Sequence, residues 1–300
     1  MIYTVTFNPA IDYVVHTDNI AAGRVNKYSD EKIYFGGKGI NVSLVLKELD
    51  ISSVALGFTA GFTGDAIEKG VCDAGITTDF VRLDNGFSRI NFKIKSAEET
   101  ELNGKGPDID EKALRSLFEK LDKLTGGDIL VLAGSIPASL PDDIYEKILE
   151  RLYGRNIKSV VDATGNLLLN VLKYRPYLIK PNNFELAEMF GTELCSNDDI
   201  IVYARKLRDM GAQNVLVSMA ENGAILVDEN NEVHIYPVCK GEVRNSVGAG
   251  DSMLAGFLAG MIKEDDYNYA LKLGTASGGA TAFSDGLCTR EKIEECLKQL

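Results

Sequence analysis

The stretch Asn245-Ser246-Val247-Gly248-Ala249-Gly250-Asp251-Ser252 carries more chemistry in its residue types and spacing than any other part of the chain. Small, flexible residues lead into Met253-Leu254-Ala255-Gly256-Phe257-Leu258-Ala259, an apolar run that reads as a buried helix. A glycine-rich turn at a helix start aims several backbone N–H groups at one point, where the helix dipole adds partial positive charge. That is an anion hole. Asp251 taken alone would serve as a helix cap. Glycines at 248 and 250 also let a ligand approach the backbone closely, and an anion beside a carboxylate suits phosphoryl transfer with the carboxylate as base. A second element, Gly36-Gly37-Lys38-Gly39-Ile40-Asn41-Val42-Ser43, likewise precedes an apolar helix and offers a cation and a carboxamide. It matches neither the G-x-x-x-x-G-K-[ST] loop nor the G-x-G-x-x-G fingerprint. One such element would read as a tight turn with a solvent-facing lysine; two in one chain point to a site.

Residues this far apart meet only if the fold converges them. Short β-branched runs at 3–7, 53–58, 128–133, 159–162, 177–179 and 214–218 alternate with helical patterns at 40–49, 110–124, 142–153 and 198–210. Such alternation predicts a doubly wound α/β fold, a mainly parallel sheet with helices on both faces, which binds ligands beyond the carboxyl ends of its strands. Residues from Gly248 onward read as mostly helical, and 224–227 with 232–237 as a local antiparallel pair. Segments 12–35 and 88–102 depart from this pattern, alternating polar and apolar residues as in Arg89-Ile90-Asn91-Phe92-Lys93-Ile94-Lys95. Period two predicts half-exposed strands. They would form a small sheet inserted in one 1–300 domain, either as a lid that excludes water or as a surface hairpin with no role.

Composition narrows the partners. The chain has 300 residues, 45% hydrophobic and 25% charged, as in an ordinary globular protein, with a net charge of −12. That charge argues against nucleic acid and anionic membranes as partners, and any phosphate site must gather its cations locally. Cys72, Cys195, Cys239, Cys288 and Cys296 are scattered with no C-x-x-C pair, and His16 and His234 are the two histidines. A zinc site or disulfide framework is therefore not expected, and a reducing cytoplasm fits. No apolar run approaches the roughly 20 residues of a membrane span.

The segments 36–43 and 245–257 resemble the two signature patterns of the ribokinase-like, or PfkB, carbohydrate kinases. Three more landmarks fall in the family's order: Asn8-Pro9-Ala10-Ile11-Asp12, Gly134-Ser135-Ile136-Pro137 and Lys180-Pro181-Asn182-Asn183-Phe184-Glu185. The resemblance runs from residue 2 to about residue 290. It implies a ribokinase-like fold with a small β-sheet lid, ATP as donor and Mg2+ as cofactor, with room for a monovalent cation. Asp251 would be the base, and Gly248, Ala249 and Gly250 would bind the transferring phosphoryl group. Asp12, Gly37, Asn41 and Ser135 would bind sugar. Lys180, Asn182, Ser218, Gly223, Ser246 and Val247 would lie on the nucleotide side. Asn182 and Glu185 would hold magnesium through water, although the pair also reads as a capping box. Ala220 stands where the family's nucleotide-side turn has glycine, and Ser284 where relatives often have Asn, which leaves the adenine contacts open.

The substrate reading turns on Ser88-Arg89-Ile90-Asn91-Phe92-Lys93. Strand alternation puts Arg89, Asn91 and Lys93 on one face, where two cations could bracket a phosphate, or merely solubilise an exposed strand. The string resembles that of the 1-phosphofructokinase branch. The resemblance implies ATP-dependent phosphorylation of the C6 hydroxyl of fructose 1-phosphate, with Lys38, Arg89 and Lys93 anchoring the existing phosphate. Tagatose 6-phosphate and fructose 6-phosphate kinase activities are the alternatives, followed by a non-catalytic sugar-phosphate sensor. Val14, Ile33, Phe35, Ile90 and Phe92 add apolar residues to the lid; burying them across a two-fold axis predicts a homodimer.

Overall fold

The computed structural model describes residues 1–300. The chain starts in β1 (Ile2–Thr6), passes through β2 (Ala10–His16) and β3 (Asp30–Gly36), and returns by α1 (Lys38–Glu48) to β4 (Ser53–Ala60). After α2 (Gly61–Asp73) come β5 (Thr77–Thr78), β6 (Val81–Leu83), β7 (Arg89–Lys95) and β8 (Thr100–Asn103). Alternation then runs through α3 (Glu111–Leu121), β9 (Ile129–Ala133), α4 (Ile144–Leu152), β10 (Lys158–Asp162), α5 (Gly165–Val171), β11 (Leu178–Ile179), α6 (Asn183–Phe190), α7 (Asn197–Asp209) and β12 (Asn214–Ser218). The hairpin β13 (Ala224–Val227) and β14 (Val233–Tyr236) precedes α8 (Ala249–Glu264), α9 (Tyr267–Ala282) and α10 (Arg290–Leu297).

The main sheet has the order β14-β13-β12-β11-β10-β9-β1-β4-β5, with β6 also paired to β4. All its pairs are parallel except those of the terminal hairpin. The expected antiparallel pair forms, Ala224 opposite Tyr236, and is more than local: β13 also pairs with β12, Val215 opposite Val227, and extends the sheet. Residues 224–227 are buried throughout, so they need the sheet as cover.

Helices occupy both faces. One core, including Leu117, Tyr145, Leu168 and Leu186, lies beneath α3 to α7; another, including Val45, Leu254, Phe257 and Leu271, beneath α1, α8, α9 and α10. Buried side chains of this size contribute about 2–5 kcal/mol each. With ten successive buried residues from Asp251 to Gly260, α8 is fixed firmly enough to aim its first turn.

The alternating segments form a separate four-stranded sheet, ordered β3-β2-β7-β8, in which β2 and β7 run parallel. Segment 12–35 is thus two strands around a connection at 17–29 rather than one run. The register lines up Tyr34, Asp12, Asn91 and Asn103 in one row, and Ile33, Tyr13, Phe92 and Leu102 in the next, on the opposite face. Val14 has the parity of Asp12 and sits opposite Lys93. It therefore does not belong with the apolar face to which its hydrophobicity assigned it. No helix is long and apolar enough to cross a membrane.

Candidate active site

The N-termini of α1 and α8 meet at the carboxyl ends of the parallel strands. Their N-cap residues, Gly37 and Gly248, have φ of 130° and 81°, values that L side chains rarely adopt. At Gly37 a Cβ would also stand 2.5 Å from Thr6 Cγ2, so α1 starts flush against the end of β1. Asn41, one turn into α1, donates from Nδ2 to Asp251 Oδ2 at 2.8 Å. The sequence suggested that Asn41 binds sugar; its amide N–H is engaged by Asp251, and its Oδ1 is left open to accept a further bond. In the glycine-rich turn, Ala249 N–H already donates to Ser246 O at 3.2 Å. The unpaired donors are therefore those of Gly248, Gly250 and Asp251, with Asp251 in place of Ala249 in the expected set.

Behind Asp251 stands a residue the sequence reading passed over. Asp162 ends β10, is buried, and lies 3.2 Å from Lys38 Nζ and 3.3 Å from Lys180 Nζ. Lys38 donates a hydrogen bond to Oδ1, whereas Lys180 lies close to Oδ2 without the alignment of one. Burial would raise the Asp162 carboxyl, but Lys180 and Lys38 outweigh it and hold the group below its usual range. Lys38 is raised, because Asp162 and Asp251 outweigh its own desolvation. Asp251 goes the other way: burial, reinforced by the Asp162 charge, pushes it up to about 6 against the pull of Asn41, Lys38 and Lys180. Two carboxyl groups driven apart in this way mark one as a fixed anion and the other as a proton acceptor. The Lys180 ammonium also lies 3.2 Å from where a Cβ on Gly250 would stand, beside the open N–H groups.

The small sheet covers this centre with its polar face. Asp12 Oδ1 accepts from Asn91 Nδ2 at 2.8 Å, and Lys93 Nζ stands 3.9 Å from Asp12 Oδ2 and 3.6 Å from Glu101. At Gly36 a Cβ would be 3.2 Å from Asn41 Oδ1 and 3.8 Å from Asp12 Oδ2, so Asp12, Asn41 and Asp251 form one line. A cleft of about 710 Å³ opens beside Asp12 and Asn41, walled also by Gly36, Lys93, Arg244 and Val247 among others. Arg89 sits at the near end of β7, with Nε donating to Asn8 O at 3.1 Å. Lys38, grouped with Arg89 and Lys93 on sequence, is engaged by Asp162 at 3.2 Å. Ser135 is exposed beside Gly134, whose Cα faces the Lys38 stem.

A family model described as pfkB family carbohydrate kinase matches residues 3–293. This chain belongs to that family. It is 46% identical over 300 residues to a 1-phosphofructokinase of Bacillus subtilis (strain 168), covering 100% of this chain and 98% of that one. To a D-tagatose-1-phosphate kinase of Bacillus licheniformis it is 39% identical over 301 residues, with 100% and 98% covered. Phosphofructokinase-2 of Escherichia coli, solved in complex with substrates and products, superposes with a TM-score of 0.93 at 25% identity, over 99% of this chain and 98% of that one. Other structures of that enzyme contain potassium or show a tetrameric inhibited form.

On the nucleotide side of this carbohydrate kinase the sequence assignments divide. Asn182 and Glu185 form the capping box of α6, Asn182 N–H to Glu185 Oε2 and Glu185 N–H to Asn182 Oδ1, both at 2.8 Å. Glu185 Oε1 stays free, and Lys38 feels the charge of Glu185. Asn182 and Ser218 are bridged across the ends of β11 and β12, and Ser246 and Val247 are exposed at the α8 turn. Gly223 is buried, and a Cβ there would be 2.1 Å from Tyr236 O, so close packing requires glycine. Ser284 Oγ donates to Ala280 O at 2.8 Å, which turns it toward its own helix. The signal for Asp162 was available, since a charged last residue on a buried parallel strand falls where such sheets bind ligands.

Proposed function

We propose that this kinase transfers the γ-phosphoryl group of ATP to the C6 hydroxyl of fructose 1-phosphate, giving fructose 1,6-bisphosphate. The observation that carries the chemistry is the half-free carboxylate of Asp251. With Oδ2 held by Asn41, Oδ1 can accept the hydroxyl proton as the oxygen attacks phosphorus in line. The open N–H groups of the α8 turn and the ammonium groups of Lys38 and Lys180 then neutralise charge on the transferring group. Asp162 holds both lysines in place. Mg2+ would neutralise the β- and γ-phosphates, and Glu185 Oε1 is the free oxygen fitted to hold it through water. On the sugar side, Asp12 and Asn91 face the hydroxyls, with Arg89 and Lys93 anchoring the C1 phosphate. The small sheet acts as a lid within a single 1–300 unit. Its outer face, with Ile33, Phe92 and Leu102, pairs with a second copy in a homodimer. Five free cysteines suit a cytoplasmic setting.

Support for the substrate is the 46% identity to a 1-phosphofructokinase. A second reading, D-tagatose 1-phosphate, has the 39% relative behind it; the two sugars differ in configuration at C4 and share the C1 phosphate. The test is ADP release from Mg-ATP, with and without K+, using fructose 1-phosphate, tagatose 1-phosphate, tagatose 6-phosphate and fructose 6-phosphate. The expected result is the highest kcat/KM with fructose 1-phosphate. A preference for either 6-phosphate would overturn the anchor while leaving Asp251 in its role, and a preference for tagatose 1-phosphate would move the assignment to the second reading.

A further inference from the structure

Arg89 is partly buried yet has no carboxylate within ion-pair distance. Its one protein bond is from Nε to the backbone oxygen of Asn8, which leaves both Nη groups unpaired. Burial lowers the guanidinium pKa, and Asp12 opposes the shift only through space. A guanidinium fixed at Nε presents its two Nη groups as a fork with a set direction, which suits a phosphate. Direction is therefore in the hands of Asn8.

Asn8 is itself clamped. Its Nδ2 donates to Lys105 O at 2.9 Å, while its Oδ1 is buried with no donor. Gly106, at φ +83°, presses on that amide so closely that a Cβ would fall 2.2 Å from Oδ1. At Gly104 a Cβ would meet Ile90 O at 2.9 Å and Arg89 Cβ at 3.0 Å. Lys105 turns its ammonium outward to Asp108, at 2.8 Å, so this turn contributes backbone and shape, not charge. The turn between β1 and β2, the start of β7 and the loop after β8 therefore meet on one amide.

We propose that Asn8, held by the Gly104-Lys105-Gly106 turn, is a positioning residue that aims the Arg89 fork and so governs recognition of the phosphate already on the sugar. The inference rests on the reading of Arg89 as phosphate anchor. Its test is a double-mutant cycle on the full chain with Arg89→Ala, Asn8→Ala and the double variant. KM for fructose 1-phosphate, KM for ATP, kcat and melting temperature are measured for each. Arg89→Ala should raise the sugar-phosphate KM by about tenfold or more, in line with loss of a charge-assisted fork, with KM for ATP unmoved. Asn8→Ala should raise the same KM several-fold and, in the Arg89→Ala background, add nothing. An unchanged sugar-phosphate KM in Asn8→Ala, or a full additional effect in the double variant, overturns the inference alone. An unchanged KM in Arg89→Ala overturns the anchor reading and the inference with it. Should Asn8→Ala fail to fold, Gly106→Ala carries the same expectation, because it leaves Asn8 in place and drives a methyl group against its Oδ1.

Discussion

At the scale of single residues, the opposed shifts of Asp162 and Asp251 make this kinase's pH dependence a direct readout of its base. Asp251 must be ionised to accept a proton, and its carboxyl is pushed up to about 6. The kcat/KM profile should therefore fall on the acid side with a midpoint near 6, reporting the free enzyme. Asp162→Asn removes the anion that raises Asp251 and leaves Lys38 and Lys180 facing it. The midpoint should move to lower pH; a limb that does not move would separate Asp162 from the titration of the base. Asp251→Asn should cut kcat by about 10²–10⁴-fold, the range for a general base, with both KM values nearly held, and near-normal turnover would remove Asp251 from its role. The stability effect has its own sign. A carboxyl raised from 3.8 to about 6 binds more protons folded than unfolded across that window, so its contribution is present at low pH and is lost as pH rises through the window. Asp162, held low, acts in the opposite sense.

At the scale of elements, the turn between β12 and β13 keeps its geometry at a cost. Ala220 adopts φ 47°, and the turn is closed by Met219 N–H to Gly223 O at 2.9 Å and Gly223 N–H to Ala220 O at 3.1 Å. Alanine stands here where the family's turn has glycine, and these bonds hold it in the left-handed conformation. Such a conformation costs an L residue roughly 1–2 kcal/mol, and glycine would return about 0.5–1 kcal/mol of that in backbone entropy. Ala220→Gly should thus stabilise the fold by about 0.5–1 kcal/mol, read as a higher denaturant midpoint at unchanged slope; a lower midpoint would refute the strain. Other elements differed in how far their residues revealed them. The parallel sheet was legible because its longer strands and amphipathic helices each carry a full period. The two-residue strand β5 carries none. The small sheet's strands were visible by alternation, but their register was not. It depends on how the turn at Asn8 and Pro9 launches β2 alongside β7, and that offset decides whether Val14 faces sugar or solvent. The strand-end position of Asp162 was readable, but its pairing was not: Lys38, one of its two cation partners, lies 124 positions away in the chain.

At the scale of the whole molecule, the small sheet has two faces that cannot both be finished in a monomer. The row of Tyr34, Asp12, Asn91 and Asn103 lies on the active-site face, while the reverse row of Ile33, Tyr13, Phe92 and Leu102 has no cover from the rest of the chain. Ile33, Phe92 and Leu102 are 50%, 42% and 61% exposed, one from each of three strands, alongside Tyr13 from the fourth. A contiguous apolar row across a whole sheet is the kind of patch that marks an interface, and a two-fold axis through it would set the row against its own copy. Because the same strands carry Asp12, Asn91 and Lys93 on their other side, association would stiffen the sugar site as well as hide the row. The chain should scatter light with twice its monomer mass at micromolar concentration. Replacing Phe92 and Leu102 together by Lys should halve that mass. In the separated form the sugar-phosphate KM should rise while KM for ATP changes little, since the nucleotide side lies on α6 and α8. The monomer's own stability should be nearly unaffected, because both side chains already face water. A monomer mass for the unaltered chain would sink the interface, and a dimer that survives both lysines would move it to another surface.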